Sequence, residues 1–333
     1  MPEPTTGRRR TTGRRAIELI GGERMSDKYG RSALWERYNS TQVTEEAADD
    51  LTSFKSSDVN YKLALWDPRV SGVRYLKTLI FNLAENLGEA NRARLRRIAN
   101  RDVGDPISVV WDGDRICMDY LQAVLELEFF SRHVPLDGAT VLEIGAGYGR
   151  TCHAVLSNHD VAAYHVVDLP NSLALARRYL GTVLTAEQLA RVHFHGVGEV
   201  DGPLSELRYD LVINIDSFAE MTAETVRAYL AFVATRARHL YVNNPVGKYL
   251  DKSLDGHFQG EAVVNLALST GLLRDVIDIH DNQAVRRQSR AFLDAYRPGP
   301  GWACVAESRT IPWSYYWQAL YRAGEAAPAP GRD

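Results

Sequence analysis

The ten residues VLEIGAGYGR, Val141 to Arg150, constrain this chain more than any other stretch. An apolar run meets an acid, then glycines at 145, 147 and 149, and then a helix start. A strand–glycine–helix turn of this kind lets backbone approach a ligand closely at the positive end of a helix. The residues that follow keep the same grammar. AAYHVVDL, ARVHFHG, YDLVINID and RHLYVNN read as further strands, each short, apolar and rich in Val, Ile or Tyr. Between them GRTCHAVLSNH, PNSLALARRYL and TAETVRAYLAFVATRA read as helices, with Pro170 in a first turn. GEAVVNLALSTG reads as a helix closed by Gly271, and LLRDVIDIHD and GWACVAES as two last strands. Alternation with short connections predicts an α/β fold, a mostly parallel sheet with helices on both faces. Ligands bind such sheets beyond the carboxyl ends of the strands, where the strand order reverses.

The remaining chain divides by pattern. Residues 1–26 are rich in Thr, Gly and Arg with no apolar period, and read as a disordered basic arm. Residues 27–135 read as a helical accessory or cap region. Leu76, Leu79, Leu83 and Leu87 share one helical face there, and Leu121, Leu125 and Phe129 another. DPISVVWDGDRIC links the two and has room for a short hairpin, while Tyr61, Trp66 and Trp111 read as core aromatics. This region also offers a surface for a homo-oligomer. The glycine-loop domain is expected over 136–310, with 311–333 a C-terminal segment ending in a disordered tail.

Composition excludes several classes. A net charge of -3 gives no global footprint for nucleic acid. No run of eighteen apolar residues is present to span a membrane. Cys117, Cys152 and Cys304 form no CxxC pair, which argues against structural zinc or a disulfide framework and for a cytoplasmic setting.

The loop spacing, Gly145-x-Gly147-x-Gly149, is one residue tighter than the dinucleotide fingerprint. A carboxylate at Glu143 opposes pyrophosphate and favours a ligand carrying positive charge. S-adenosylmethionine, with a sulfonium and an ammonium but no phosphate, is such a ligand. Asp168, at the end of the next strand, stands where an acid accepts hydrogen bonds from ribose hydroxyls; its alternative role is to cap the helix opening at Pro170.

EIGAGYGR, followed by VVDLP and YDLVINIDSFAEM, resembles the class I S-adenosylmethionine-dependent methyltransferases. Through GAGYGR and SFAEM it is more narrowly similar to the sugar O-methyltransferases of actinobacterial natural-product gene clusters. The resemblance covers about residues 138–308. It implies a Rossmann-like class I methyltransferase sheet with an antiparallel strand near its C-terminal end. It implies S-adenosyl-L-methionine as cofactor and S-adenosyl-L-homocysteine as product, held by Glu143, Gly145, Ala146, Gly147, Asp168, Leu169, Asn214 and Asp216. Adenine is expected at the end of the third strand, near Gly198 and Glu199. His193 and His195 lie on one side of that strand, read as packing or surface residues rather than as a metal pair.

An alcohol is a poor nucleophile, so its methylation calls for a positioned base. After the fourth strand come Asp216, Ser217 and Glu220, read as acceptor-binding, with Asp216 and Glu220 also catalytic candidates; capping the next helix is their alternative. After the fifth strand, a long polar loop carries Asn243 and Asn244, read as hydrogen-bonding the substrate or turning the chain, and then Asp255 and His257. Histidine side chains as a class change charge near neutrality, and His257 is the preferred general base. Nothing in the spacing demands a metal.

The expected activity is methyl transfer to a sugar hydroxyl in an antibiotic-type glycoside. N-methylation of an amino sugar is the first alternative, because cationic acceptors suit Asp216, Glu220 and Asp255. RNA methylation is more remote: the fourth strand ends in NIDSF rather than the Asn/Asp-Pro-Pro-aromatic motif that holds a flipped base. A non-catalytic scaffold that keeps the fold is the last.

Overall fold

The computed structural model describes residues 32–41, 55, 66–249, 251, 253 and 260–324. The expected arm over 1–26, Tyr61, Asp255, His257 and the tail beyond 324 lie outside the described residues. The chain separates into two units, 1–72 and 73–333. In the first, helix α1 spans Ala33–Thr41 and buries none of its residues. Helix α2 spans Pro68–Glu85.

The second unit opens with helical packing. Helix α3 (Glu89–Arg97) and a hairpin of β1 (Ser108–Trp111) and β2 (Asp114–Cys117) precede helix α4 (Met118–Ser131). Ile80 and Ala84 of α2, Leu95 of α3 and Ile116 of β2 pack with Leu121 and Val124 of α4 in one apolar cluster. The leucine stripe read in the sequence borders this face: Leu87, just beyond α2, is buried in the cluster with Ile80 and Ala84. Leu79 is exposed, and Leu76 and Leu83 only flank the cluster. Trp66, read as core, is also exposed. Trp111 lies half-buried, its ring under the Arg92 guanidinium and its indole N–H donating to Glu85 Oε2 at 2.7 Å.

Then the strands begin. In order come β3 (Thr140–Ile144), α5 (Arg150–Leu156), β4 (Ala163–Asp168), α6 (Pro170–Val183), a single turn α7 (Ala186–Leu189) and β5 (Val192–Gly196). They are followed by β6 (Leu211–Ile215), α8 (Ala223–Arg236), β7 (His239–Pro245), α9 (Glu261–Ser269), α10 (Asn282–Ala295), β8 (Trp302–Arg309) and β9 (Tyr316–Ala323). The seven-stranded sheet has the order β5-β4-β3-β6-β7-β9-β8. The first five strands are parallel, and β9 runs antiparallel to both β7 and β8. This is the Rossmann-like sheet the sequence led us to expect, with helices on both faces.

Burial on both faces explains the unbroken apolar strands. Val141, Val166 and Ile213 face Phe130 of α4, Val155 of α5 and Leu180 of α6. Leu142, Val212 and Val242 face Val226 and Val233 of α8 and Phe292 of α10. The chain winds outward through β3, β4 and β5, then crosses back to start again at β6. The reversal between β3 and β6 opens a crevice at their carboxyl ends.

Two readings near the C-terminus are corrected. LLRDVIDIHD forms no strand; Val276 makes one isolated bridge to Lys248, and α10 follows, capped by the Asp281 side chain on the Gln283 N–H. The sheet also runs past residue 310, because β9 sits between β7 and β8 and is bonded on both edges. Among the described residues no helix is long and apolar enough to cross a membrane.

Candidate functional site

The crevice is shaped first by the loop after β3. Gly145 has φ +74°, and a Cβ there would stand 2.1 Å from Ser217 Oγ, so no side chain fits. That serine is pinned in place: Asn214 Nδ2 donates to its Oγ at 2.7 Å, and the Oγ donates to the Ile144 carbonyl. Gly147 has φ +59° but meets nothing within 4 Å. Its backbone is bare toward open space, and its N–H donates to Asp168 Oδ2 at 2.8 Å. Asp168 Oδ1 accepts from the Leu169 N–H at 2.7 Å. The carboxylate thus ties the loop to the end of β4, and each oxygen keeps acceptor capacity.

A cavity of about 480 Å³ lies against these groups. Gly145, Gly147, Asp168 and Ser217 form its polar side. Leu169 and Val197, both exposed and apolar, stand with Met221 and Tyr229 on the remainder, and Glu220 closes one end. The volume is that of a small-molecule site. A nucleoside bearing a positively charged arm matches this lining, with hydroxyls for Asp168, apolar surface for a flat base, and a carboxylate for the cation. Here the residues present fit the cofactor that the sequence resemblance implies.

Several expected cofactor residues lie elsewhere. Glu143 is buried beneath the loop and does not line the cavity. It accepts from the Tyr164 hydroxyl at 2.8 Å and is also hydrogen-bonded by Thr151. Burial pushes its carboxyl up to about 7, against these hydrogen bonds and the nearby Arg150. The acid that singled out a cationic cofactor in the sequence therefore braces the loop from behind. Ala146, partly buried, packs against the core on that same face. Asn214 is fully buried and bonds Ile144, Ser217, Phe218 and Asn244, so it holds the strand ends together. Gly198 and Glu199 do not line the cavity either. Glu199 is used at the end of β5, accepting from the Gly196 N–H and the His195 ring, and Val197 takes the lining position instead.

His193 and His195 both stack on His165, with ring centroids 4.8 and 5.3 Å away. Burial and the two neighbouring rings push His165 down to about 4. No group of three His, Cys, Asp or Glu side chains among the described residues is arranged to hold a metal ion.

A second cavity of about 610 Å³ lies beyond β6 and β7. Glu220 borders both cavities. Asp216 lines the second and not the first, contrary to its expected cofactor role. Its φ of +67° with ψ −44° lies outside the regions ordinarily open to a non-glycine residue. The backbone is fixed by an N–H bond to the Asn243 carbonyl at 2.8 Å. The Tyr316 hydroxyl, from the start of β9, donates to Asp216 Oδ1 at 2.6 Å. Burial raises the Glu220 carboxyl, and the Asp216 charge raises it further. Lys248 attracts both acids, but its Nζ is committed to the Ala219 carbonyl and Thr270 Oγ1.

A third cavity, of about 370 Å³, lies on the other side of Asp216 and Tyr316, toward α4. Asn243 lines it, donating to Glu126 Oε1 at 3.0 Å and accepting from Thr310 at 2.8 Å. Glu126 in turn binds Arg150 at 2.7 Å, which connects the accessory helices to the glycine loop. Asn244 is fully buried in the Asn214 network and lines none of these three cavities. Sequence reasoning missed Val197, Lys248, Tyr249 and Tyr316. Tyr316 lies a hundred residues from its partner, with no motif to link them.

No protein-family model matches this chain, and no curated protein matches it in sequence. Solved structures do align with it. A methyltransferase domain of bacterial CtHen1 is 14% identical, with TM-score 0.43, covering 61% of this chain and 96% of that one. An O-methyltransferase from Klebsiella pneumoniae, so named provisionally, is 14% identical with TM-score 0.42, covering 76% and 99%. Geranyl diphosphate methyltransferase, solved in complex with S-adenosylmethionine, is 10% identical with TM-score 0.42, covering 61% and 86%.

Proposed function

We propose that this chain is an S-adenosylmethionine-dependent methyltransferase acting on a hydroxyl of a sugar in a secondary-metabolite glycoside. One observation carries the reading: the glycine-loop cavity and the Asp216 cavity adjoin at the strand-order reversal and share the Glu220 wall. Ligands seated in the two cavities would share Glu220 as a common wall. When bound, the cofactor supplies a sulfonium methyl for in-line displacement by the acceptor oxygen.

The chain's own residues have three tasks. Gly145, Gly147, Asp168, Leu169 and Val197 bind and orient the cofactor, and alignment is a large part of the catalysis of such a transfer. Asp216, held in place by Tyr316 and its own strained backbone, accepts the proton of the acceptor hydroxyl through Oδ2. Glu220 sets a negative potential at the junction that favours a cation. Ser217, offered by the sequence as an acceptor contact, instead backs the glycine loop.

The test is calorimetric binding of S-adenosylhomocysteine, followed by methyl transfer to a panel of glycosides read by product mass and proton shifts. Asp168→Lys and Gly147→Arg should each abolish cofactor binding. Unchanged affinity in both would falsify the site assignment, and cofactor binding without turnover on any acceptor would favour a scaffold. A second reading, transfer to the amine of an amino sugar, draws support from the acids at the junction. An amine panel run in parallel separates the two.

A further inference from the structure

The second cavity has a feature that methyl transfer to a sugar does not require. Its outer wall is α9, EAVVNLALS, and no residue of that helix is buried. Val263 is 57% exposed and Leu266 70% exposed, whereas α8 sends Val226, Leu230 and Val233 into the core. Spaced three apart, Val263 and Leu266 share one helical face, with Ala267 beside them. All three line the cavity, together with Pro245 and Tyr249. Opposite stand the polar groups already described, Asp216, Tyr316, Glu220 and Lys248.

The wall is anchored rather than loose at its C-terminal end. Thr270 Oγ1 donates to the Ala219 carbonyl at 2.8 Å, and the Gly271 N–H donates to the Met221 carbonyl at 2.7 Å. Thr270 also accepts from Lys248. The apolar face is thereby held over the strand ends from which Asp216 projects. Isolated exposed apolar side chains are ordinary, but a face of them lining a cavity marks a ligand surface. At about 610 Å³ the space is of the size that encloses a drug-sized molecule.

We propose that this cavity binds an acceptor with two unlike ends: a hydroxyl-bearing head against Asp216 and Tyr316, and an apolar body against Val263, Leu266 and Tyr249. The proposal rests on the methyltransferase reading and adds to it the chemistry of the part of the acceptor that does not react. Specificity then divides between the poles. The head is chosen by hydrogen bonds, which reject a wrong partner sharply, and the body by apolar area, which discriminates gradually.

The experiment uses the full chain saturated with S-adenosylhomocysteine and a series of n-alkyl glucosides, from methyl to octyl, below their micelle concentrations. Calorimetry should show affinity rising about fourfold for each methylene that becomes buried, until the wall is filled. In Leu266→Asp, and in the milder Leu266→Ala, the rise should flatten, with the thermal midpoint confirming that each variant folds. Affinity that ignores chain length, or that rises equally in Leu266→Asp, overturns the proposal. A collapse of the thermal midpoint in both variants also overturns it, because the face then packs against protein. Failure of the methyltransferase reading looks different: the chain-length dependence persists, yet no alkyl glucoside is methylated when S-adenosylmethionine replaces the product.

Discussion

The two adjoining cavities are held together in different ways. The glycine-loop cavity is set by backbone: left-handed glycines at 145 and 147, a serine filling the place of a missing Cβ, and one carboxylate bonded to the backbone of the glycine loop and of the segment after β4. Its neighbour is set by side chains meeting from distant segments: Tyr316 on Asp216, and Lys248 and Thr270 on Ala219. Backbone geometry tolerates almost no substitution. Side-chain walls can be exchanged one at a time while the sheet beneath stays intact. A fold that keeps one ligand constant and varies the other gains from this division.

The largest effect should come from breaking the backbone side. Gly145→Val places a branched side chain at φ +74° and into Ser217. Left-handed strain and overpacking together should cost about 2–5 kcal/mol of stability in urea unfolding, and cofactor binding should vanish. A variant that unfolds and binds like the parent would show that the loop relaxes freely, and the contrast between the two cavities would fail.

The next effect concerns Glu143, which separates bracing from binding. Its folded carboxyl titrates near 7, above the ordinary value of 4.5, so the native state holds a proton that the unfolded chain has released. Stability from this source is complete below about pH 4.5 and is lost as pH rises through 7. Glu143→Gln should remove that decline, leaving the variant relatively more stable at pH 8 than at pH 5 by about 1–3 kcal/mol. Denaturant melts across this range decide it, and parallel curves for parent and variant would refute it. Cofactor affinity at pH 7 should change far less than in a cavity-lining variant.

Asp168→Ala comes third. It removes a charged acceptor from the cavity and a bond to the loop. One hydrogen bond to a charged group is worth about 1.5–3 kcal/mol, so cofactor affinity should fall about 10- to 150-fold with only a modest loss of stability. Calorimetry against S-adenosylhomocysteine measures it, and a change below threefold would place the nucleoside elsewhere.

The same contrast explains what could be read in advance. The strands, the helices between them and the loop cavity were legible because their determinants are local: Gly145 to Asp168 carry spacing, apolar runs and an acid at a strand end. Even there, the side-chain direction of Glu143 was not local information. On a central strand alternate residues face opposite sides, and residue 143 falls with Val141 on the α5 side. Gly198 and Glu199 were misplaced by a turn, because Glu199 finds a local bond to Gly196 and leaves Val197 facing the cavity. Strand β9 was hidden by its polar and aromatic face, which only its place between two strands explains. The Asp216–Tyr316 contact depends on that strand and so was invisible with it.

That contact supplies the smallest and most selective test. Tyr316→Phe removes one oxygen, leaves the ring beside Tyr315, and frees Asp216 Oδ1. If Asp216 receives the acceptor proton and Tyr316 only aims it, kcat on a hydroxyl acceptor should fall about tenfold, about the worth of one well-placed hydrogen bond. Cofactor affinity should hold, since neither residue lines that cavity. Asp216→Asn should lower kcat much further, and adding Tyr316→Phe to it should cost little more, because a positioning residue has nothing left to position. Additive losses in the double variant would make Tyr316 an independent contributor. An equal fall in cofactor affinity would mean that the two cavities are not separable after all.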